Sequence, residues 1–121
     1  MNIPNHLRKV RDVSITEQEL IDFESKVRDA YEAGKIKGPI HLAKNNEKEL
    51  IEIFQYVGED DWVFVPWRNH YHALLHGVDA GKLYNSIVEG RSMGTNNINP
   101  NFYASSIVGG IIPIALGTAL A

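Results

Sequence analysis

The chain of 121 residues contains no cysteine. That excludes a disulfide scaffold, thiol catalysis, Cys-ligated zinc and thiol-ligated iron–sulfur clusters, and it fits a reducing, cytoplasmic setting. Charge is lacking at one end: all 12 Lys/Arg and all 15 Asp/Glu lie at or before Arg91, and residues 92–121 carry none. There is no excess of basic charge either, since the formal net charge is −3, which excludes a strongly basic nucleic-acid binder. Long apolar runs are scarce. The most apolar stretch, Ala104–Ala121, has 11 apolar residues in 18, interrupted by Ser105, Ser106, Pro113 and four Gly or Thr. A spanning helix needs about 20 predominantly apolar residues, so this segment is expected to be buried in protein rather than in lipid. Residues 1–13 are polar with scattered positive charge and have no apolar centre, unlike a secretory signal.

What is present describes one ordinary globular domain, 44% hydrophobic, 22% charged and 9% aromatic. Residues 14–33 predict a helix. Ser14 with Glu17, or Thr16 with Glu19, offers a capping box, and Leu20, Phe23, Val27 and Tyr31 form an apolar stripe before Gly34. A second helix is predicted from Asn45 or Asn46, carrying Leu50, Ile51 and Phe54 as far as Gly58. Trp62-Val-Phe-Val65 is aromatic and β-branched, which favours a buried strand, and Pro66 ends it. Arg68 to His76 predicts a short helix closed by Gly77, and Asp79 can cap another over residues 80–89. Residues 92–101, with four Asn, a Gly and a Pro, predict a loop. Residues 111–121 predict a buried helix with Pro113 in its first turn. Helices alternating with a buried strand give an α/β pattern.

Three groups of residues carry chemical potential. His72 and His76, four apart, share a helix face, and with His70 they offer a zinc clamp for a small hydrolase; a polar helix surface is the plain alternative, since no carboxylate stands at ligand spacing. Trp67-Arg-Asn-His70 follows a strand, at the edge where α/β sheets bind ligands. Arg68 there can clamp a phosphate and His70 can act as acid, base or donor; equally, Arg68 can pair with Glu59, Asp60 or Asp61 and His70 can cap a helix. Ser105-Ser-Ile-Val-Gly-Gly110 is a small-residue turn whose backbone can grip a ring or a phosphate, or simply let another backbone pack closely.

Taken in order, Gly34-Lys-Ile-Lys-Gly-Pro-Ile-His-Leu42, Asp61-Trp-Val-Phe, Trp67-Arg-Asn-His-Tyr-His-Ala-Leu-Leu-His-Gly77, Gly90-Arg91, Asn101-Phe-Tyr103 and Ile107-Val-Gly-Gly-Ile-Ile-Pro-Ile-Ala-Leu-Gly-Thr-Ala-Leu-Ala121 form an ordered set. From about residue 14 to its last residue the chain resembles the N-terminal part of the alpha subunit of thiamine-diphosphate-dependent 2-oxo acid dehydrogenases, the pyruvate, branched-chain and acetoin group. The resemblance implies an α/β architecture that is the N-terminal portion of a thiamine-diphosphate-binding fold. It would be mostly helical with one or two short buried parallel strands, incomplete without its remainder, and preceded by a polar arm over residues 1–13.

By the same resemblance Arg68 contacts the cofactor diphosphate with Trp67 beside it; Trp67 keeps the aromatic ring of the family's tyrosine and lacks its hydroxyl. Ser106 and Val108 match positions whose backbone holds the aminopyrimidine ring, His41 a histidine near the substrate, and His70 a further active-site histidine of some members. The complete enzyme decarboxylates a 2-oxo acid and passes the acyl group to a lipoyl acyltransferase component, with a glutamate supplied by a beta subunit. After His41-Leu42 the family's helix start is replaced by Ala43-Lys-Asn-Asn-Glu-Lys48, and the segment from Arg91 to Phe102 is short, with only Ser92-Met93 matching. The family's Gly-Asp-Gly…Asn motif, which supplies the magnesium ligands, has no counterpart in these residues. The chain by itself is therefore expected not to hold magnesium and thiamine diphosphate, and the uncharged tail is expected to pack against residues beyond it. A non-catalytic module that pairs with another thiamine-fold chain is the alternative.

Overall fold

The computed structural model describes residues 2–121. Helix α1 spans Glu17–Glu32 and starts on the Thr16 capping box: the Glu19 N–H donates to Thr16 Oγ1 at 3.2 Å, and the Thr16 N–H donates to Glu19 Oε2 at 2.8 Å. It ends in a Schellman turn around Gly34 (φ +71°), with Lys35 N–H bonded to Ala30 O and Gly34 N–H to Tyr31 O. Its inward face departs from the expected stripe. Leu20 and Val27 are fully buried, but Tyr31 is 50% exposed, and a carboxylate, Glu24, lies inside.

Helices α2 (Glu47–Phe54), α3 (His70–His76) and α4 (Ala80–Val88) follow, separated by strand β1 (Val63–Val65). The Asp79 side chain accepts from Lys82 N–H at 2.8 Å and so caps α4, and Gly77 (φ +102°) closes α3. Residues 92–101 are not all loop. They contain β2 (Asn96–Asn97), which pairs antiparallel with β3 (Phe102–Ala104). Strand β3 is also the parallel neighbour of β1, with Val63 opposite Phe102 and Val65 opposite Ala104, so the sheet order is β1-β3-β2. The two short parallel strands expected are β1 and β3, and the sheet gains a third, antiparallel strand in β2. Its pairing depends on the sheet and not on the Asn-rich sequence, which has poor strand propensity.

From β1, the chain passes through α3 and α4 before returning to the sheet as β2 and then β3. The core lies under this crossover: Leu20 and Val27 of α1, Leu50 and Phe54 of α2, Tyr71, Leu74 and Leu75 of α3, Leu83 and Ile87 of α4, and Val65, Phe102 and Ala104 of the sheet. Phe64 and Tyr103 point to the opposite face, ring centroids 6.1 Å apart, and Trp62 stacks on Phe64 at 5.9 Å. The polar arm returns to this body. Val10 N–H donates to Gln55 O, and Arg11 donates through Nε to Phe54 O at 3.0 Å and through Nη2 to Leu75 O at 2.9 Å, so one guanidinium satisfies carbonyls near the ends of two helices.

Helix α5 (Ile111–Leu120) forms where predicted, but it is not buried. None of its residues is enclosed by the described residues, and Ile112, Leu116 and Leu120 are 60–79% exposed. Apolar composition selects burial only when another element is present to cover it. Among the described residues no helix is long and apolar enough to cross a membrane.

Candidate functional site

The carboxyl ends of β1 and β3 lie side by side. Beyond the last paired residues, Ser105 N–H donates to Val65 O at 3.1 Å, which ties the turn after β3 directly to the end of β1. Two segments therefore leave one sheet edge: Pro66-Trp67-Arg68 from β1, and Ser105 to Gly110 from β3. In the second, Ile107 N–H donates to Ser105 Oγ at 3.2 Å and Gly110 N–H to Ile107 O, while Val108 is 79% exposed. Such an edge is where open α/β sheets place ligands, because strand ends and the following turns present unpaired backbone groups there.

Arg68 does not pair with the acidic turn at 59–61. Its Nη1 donates to Leu42 O at 2.7 Å, which brings the segment before α2 against the end of β1. His41 then sits with its ring 6.0 Å from that of Trp67. His41 and Arg68 border a groove of about 800 Å³, together with Arg28, Tyr31 and Lys44. Ser106 borders a different, smaller cavity of about 360 Å³, shared with Arg91 and Met93. The structure thus brings His41, Trp67 and Arg68 together, sets Ser106 and Val108 on the adjoining turn, and leaves His70 apart from both.

His70 is fully buried at the start of α3. Its Nδ1 lies 3.0 Å from both carboxylate oxygens of Glu24, and its Nε2 lies 2.8 Å from Ser92 Oγ. Glu24 Oε1 also accepts the Ala43 N–H at 3.1 Å, and Asn69 Nδ2 donates to the backbone oxygens of Trp67 and Ser92. Acid, imidazole and hydroxyl stand in the order of a nucleophilic triad, but Ser92 is fully buried, so no substrate reaches its oxygen. The cluster holds four chain segments together instead. Ser92 had no signal in the sequence beyond the short match at Ser92-Met93. Glu24 had one, a charge four residues from Leu20 on the apolar face of α1.

A second buried carboxylate, Glu47, accepts from the Tyr71 hydroxyl at 2.8 Å and from Asn45 N–H at 3.0 Å. Burial pushes its pKa up, but the Tyr71 hydroxyl and the backbone N–H groups of residues 45–47 outweigh this and hold the carboxyl below its usual range. Burial and then Glu47 push the Tyr71 phenol well up, so it stays a donor.

The three histidines of α3 do not form a zinc clamp. His70 is held by Glu24 and Ser92, while the rings of His72 and His76 lie 6.2 and 6.1 Å from Phe54, and His76 Nε2 donates to Asp61 O at 2.9 Å. Among the described residues no three His, Cys, Asp or Glu converge as a metal-binding group. Burial lowers the pKa of both His72 and His76 below 6.5, with Arg11 adding to the effect at His76. A lowered folded-state pKa means that the unfolded chain takes up protons that the folded chain refuses. Stability is therefore complete above the ordinary histidine pKa and declines as pH falls through it. The melting temperature is expected to drop between about pH 7.5 and about pH 5.5, and a His72→Gln/His76→Gln variant should show a flatter profile. Equal slopes for the two proteins would show that these rings do not carry the dependence.

No model of a known protein family matches the chain, and a search of curated proteins finds no match either.

Proposed function

We propose that this chain is the N-terminal part of the alpha subunit of a thiamine-diphosphate-dependent 2-oxo acid dehydrogenase. The observation that carries the reading is the shared sheet edge. Trp67-Arg68 and Ser105–Val108 are 37 or more residues apart in sequence, and the resemblance assigns both to one cofactor; they leave adjacent parallel strands joined by the Ser105 N–H to Val65 O bond. The donor chemistry fits the two ends of that cofactor. Arg68 spends one guanidinium nitrogen on Leu42 O and keeps its other donors for a diphosphate, and the exposed backbone of residues 106–108 suits a heteroaromatic ring. On this reading the magnesium ligands come from the family's Gly-Asp-Gly…Asn motif, supplied by other residues of the assembly.

Thiamine diphosphate, when bound, supplies a carbon nucleophile and an electron sink for decarboxylating a 2-oxo acid. Arg68 neutralises diphosphate charge, with Trp67 packing beside it. The backbone at Ser106 and Val108 orients the ring. His41, half-buried at the groove, is the imidazole able to meet the substrate and move a proton there. His70, sealed between Glu24 and Ser92, acts by holding α3 and the segment around residue 92 in place. The beta subunit, the remaining alpha-subunit residues and the lipoyl acyltransferase complete a cytoplasmic enzyme, and an apolar α5 face is suited to cover by such neighbours.

The second reading, a non-catalytic module paired with another thiamine-fold chain, is favoured by that same α5 face and by the sealed His70. Amide NMR separates the two. Titration with thiamine diphosphate is expected to shift amides at 67–69 and 105–109 weakly, without tightening by magnesium, and Arg68→Ala should abolish the shifts. Silence at those positions leaves the non-catalytic module. Tight magnesium-dependent binding would contradict the placement of the metal ligands elsewhere.

A further inference from the structure

Residues 42–45 are held more firmly than an exposed connection requires. The Leu42 carbonyl accepts Arg68 Nη1 at 2.7 Å, the Ala43 N–H donates to buried Glu24 at 3.1 Å, and the Asn45 N–H donates to buried Glu47 at 3.0 Å. Asn45 adopts φ +66°, the one positive φ outside glycine among the described residues. Asparagine tolerates that region better than most residues, yet such a conformation persists only where its surroundings impose it. Two carboxylates more than nine-tenths buried are thus committed to fixing the amides on either side of Lys44. The Lys44 side chain is exposed, takes part in no hydrogen bond or ion pair among the described residues, and borders the groove that holds His41 and Arg68. The other charges at that groove leave it little competition: Arg28 is forked onto Asp29 at 2.9 and 3.2 Å, and Glu32 is the single acid of the lining.

We propose that Lys44 receives the carboxylate of a small organic acid lying in the groove beside His41. This deepens the proposed function, on which it rests for the acid being a 2-oxo acid, and it leaves the planar fork of Arg68 for the diphosphate. The division suits the two side chains. A guanidinium fork suits carboxylate and phosphate alike, but Arg68 is anchored to Leu42 O, whereas the Lys44 ammonium on its flexible stem can follow a small carboxylate as a point charge. The groove, at about 800 Å³, has room for an acid of a few carbons alongside the cofactor contact.

Amide NMR on the full chain tests this with three probes: 2-oxobutyrate, its uncharged methyl ester, and inorganic phosphate. Expected are shifts at residues 41–45 with 2-oxobutyrate and none with the ester. Lys44→Gln should weaken binding about fivefold, as loss of one exposed charge contact does, and Lys44→Arg should restore most of it. Equal binding of the ester, equal binding by Lys44→Gln, or phosphate occupying the same amides as strongly as the acid overturns the assignment. Thiamine diphosphate added to the same sample separates this from the parent reading. Shifts at 41–45 from the acid, with silence at 67–69 and 105–109 from the cofactor, keep Lys44 and remove the cofactor; the converse removes Lys44 alone.

Discussion

Glu24→Ala is expected to lower stability by about 3–5 kcal/mol, the cost of removing one partner from a buried pair. Three hydrogen bonds end on this carboxylate, from His70 and from the Ala43 N–H, and Glu24 is 5% exposed and His70 not at all. Alanine leaves a buried imidazole nitrogen and a backbone donor without their acceptor. Glu24→Gln keeps the volume and one acceptor. The ring can answer by exchanging tautomers, with Nε2 then donating to Ser92 Oγ, so a smaller loss of about 1–3 kcal/mol follows. Ser92→Ala removes one neutral bond at the far end, worth about 1 kcal/mol. Urea denaturation should rank the variants in that order. A Glu24→Ala loss no larger than that of Ser92→Ala would refute the cluster as the tie between α1, α3 and residues 43 and 92. Because typical domains are stable by only about 5–15 kcal/mol, the alanine variant approaches the limit of folding at ambient temperature.

Phe102→Ala is expected to cost about 3–5 kcal/mol, through lost burial and the cavity left behind. Phe102 is fully buried on the middle strand of the sheet, opposite Val63 on one side and Asn97 on the other. Its neighbour Tyr103 faces away from the core and is half-buried, so Tyr103→Ala should cost clearly less. A further consequence bears on the site. Loosening β3 releases the Ser105 N–H from Val65 O, so hydrogen exchange at the Ser105 amide should quicken in Phe102→Ala. If the two substitutions cost the same, the assigned strand register is wrong; if Ser105 exchange is unchanged, the sheet edge is held by something other than β3.

Much of the local architecture was legible. The Thr16 capping box, Gly34, the Asp79 cap and Gly77 stand where the residues predict, because a cap or a left-handed glycine is decided within a few residues of itself. Strand β1 was legible from Trp62-Val-Phe-Val65. Strands β2 and β3 were not, because two- and three-residue strands exist only through pairing with distant chain. The candidate site divided similarly. Arg68 could be placed at a strand end, but its bond to Leu42 O, 26 residues away in sequence, has no local signal.

The sequence by itself determined the caps that open α1 and α4, the glycines that close α1 and α3, the α/β alternation, and the uncharged composition of residues 92–121. Only the tertiary structure decided that Glu24 turns inward to meet His70, that His41 joins Arg68 rather than His70, and that the apolar α5 lies open. The difference is one of range. Caps, stops and propensities are settled by neighbours along the chain, whereas the fate of a charge or an apolar face depends on which remote residues arrive to satisfy or cover it.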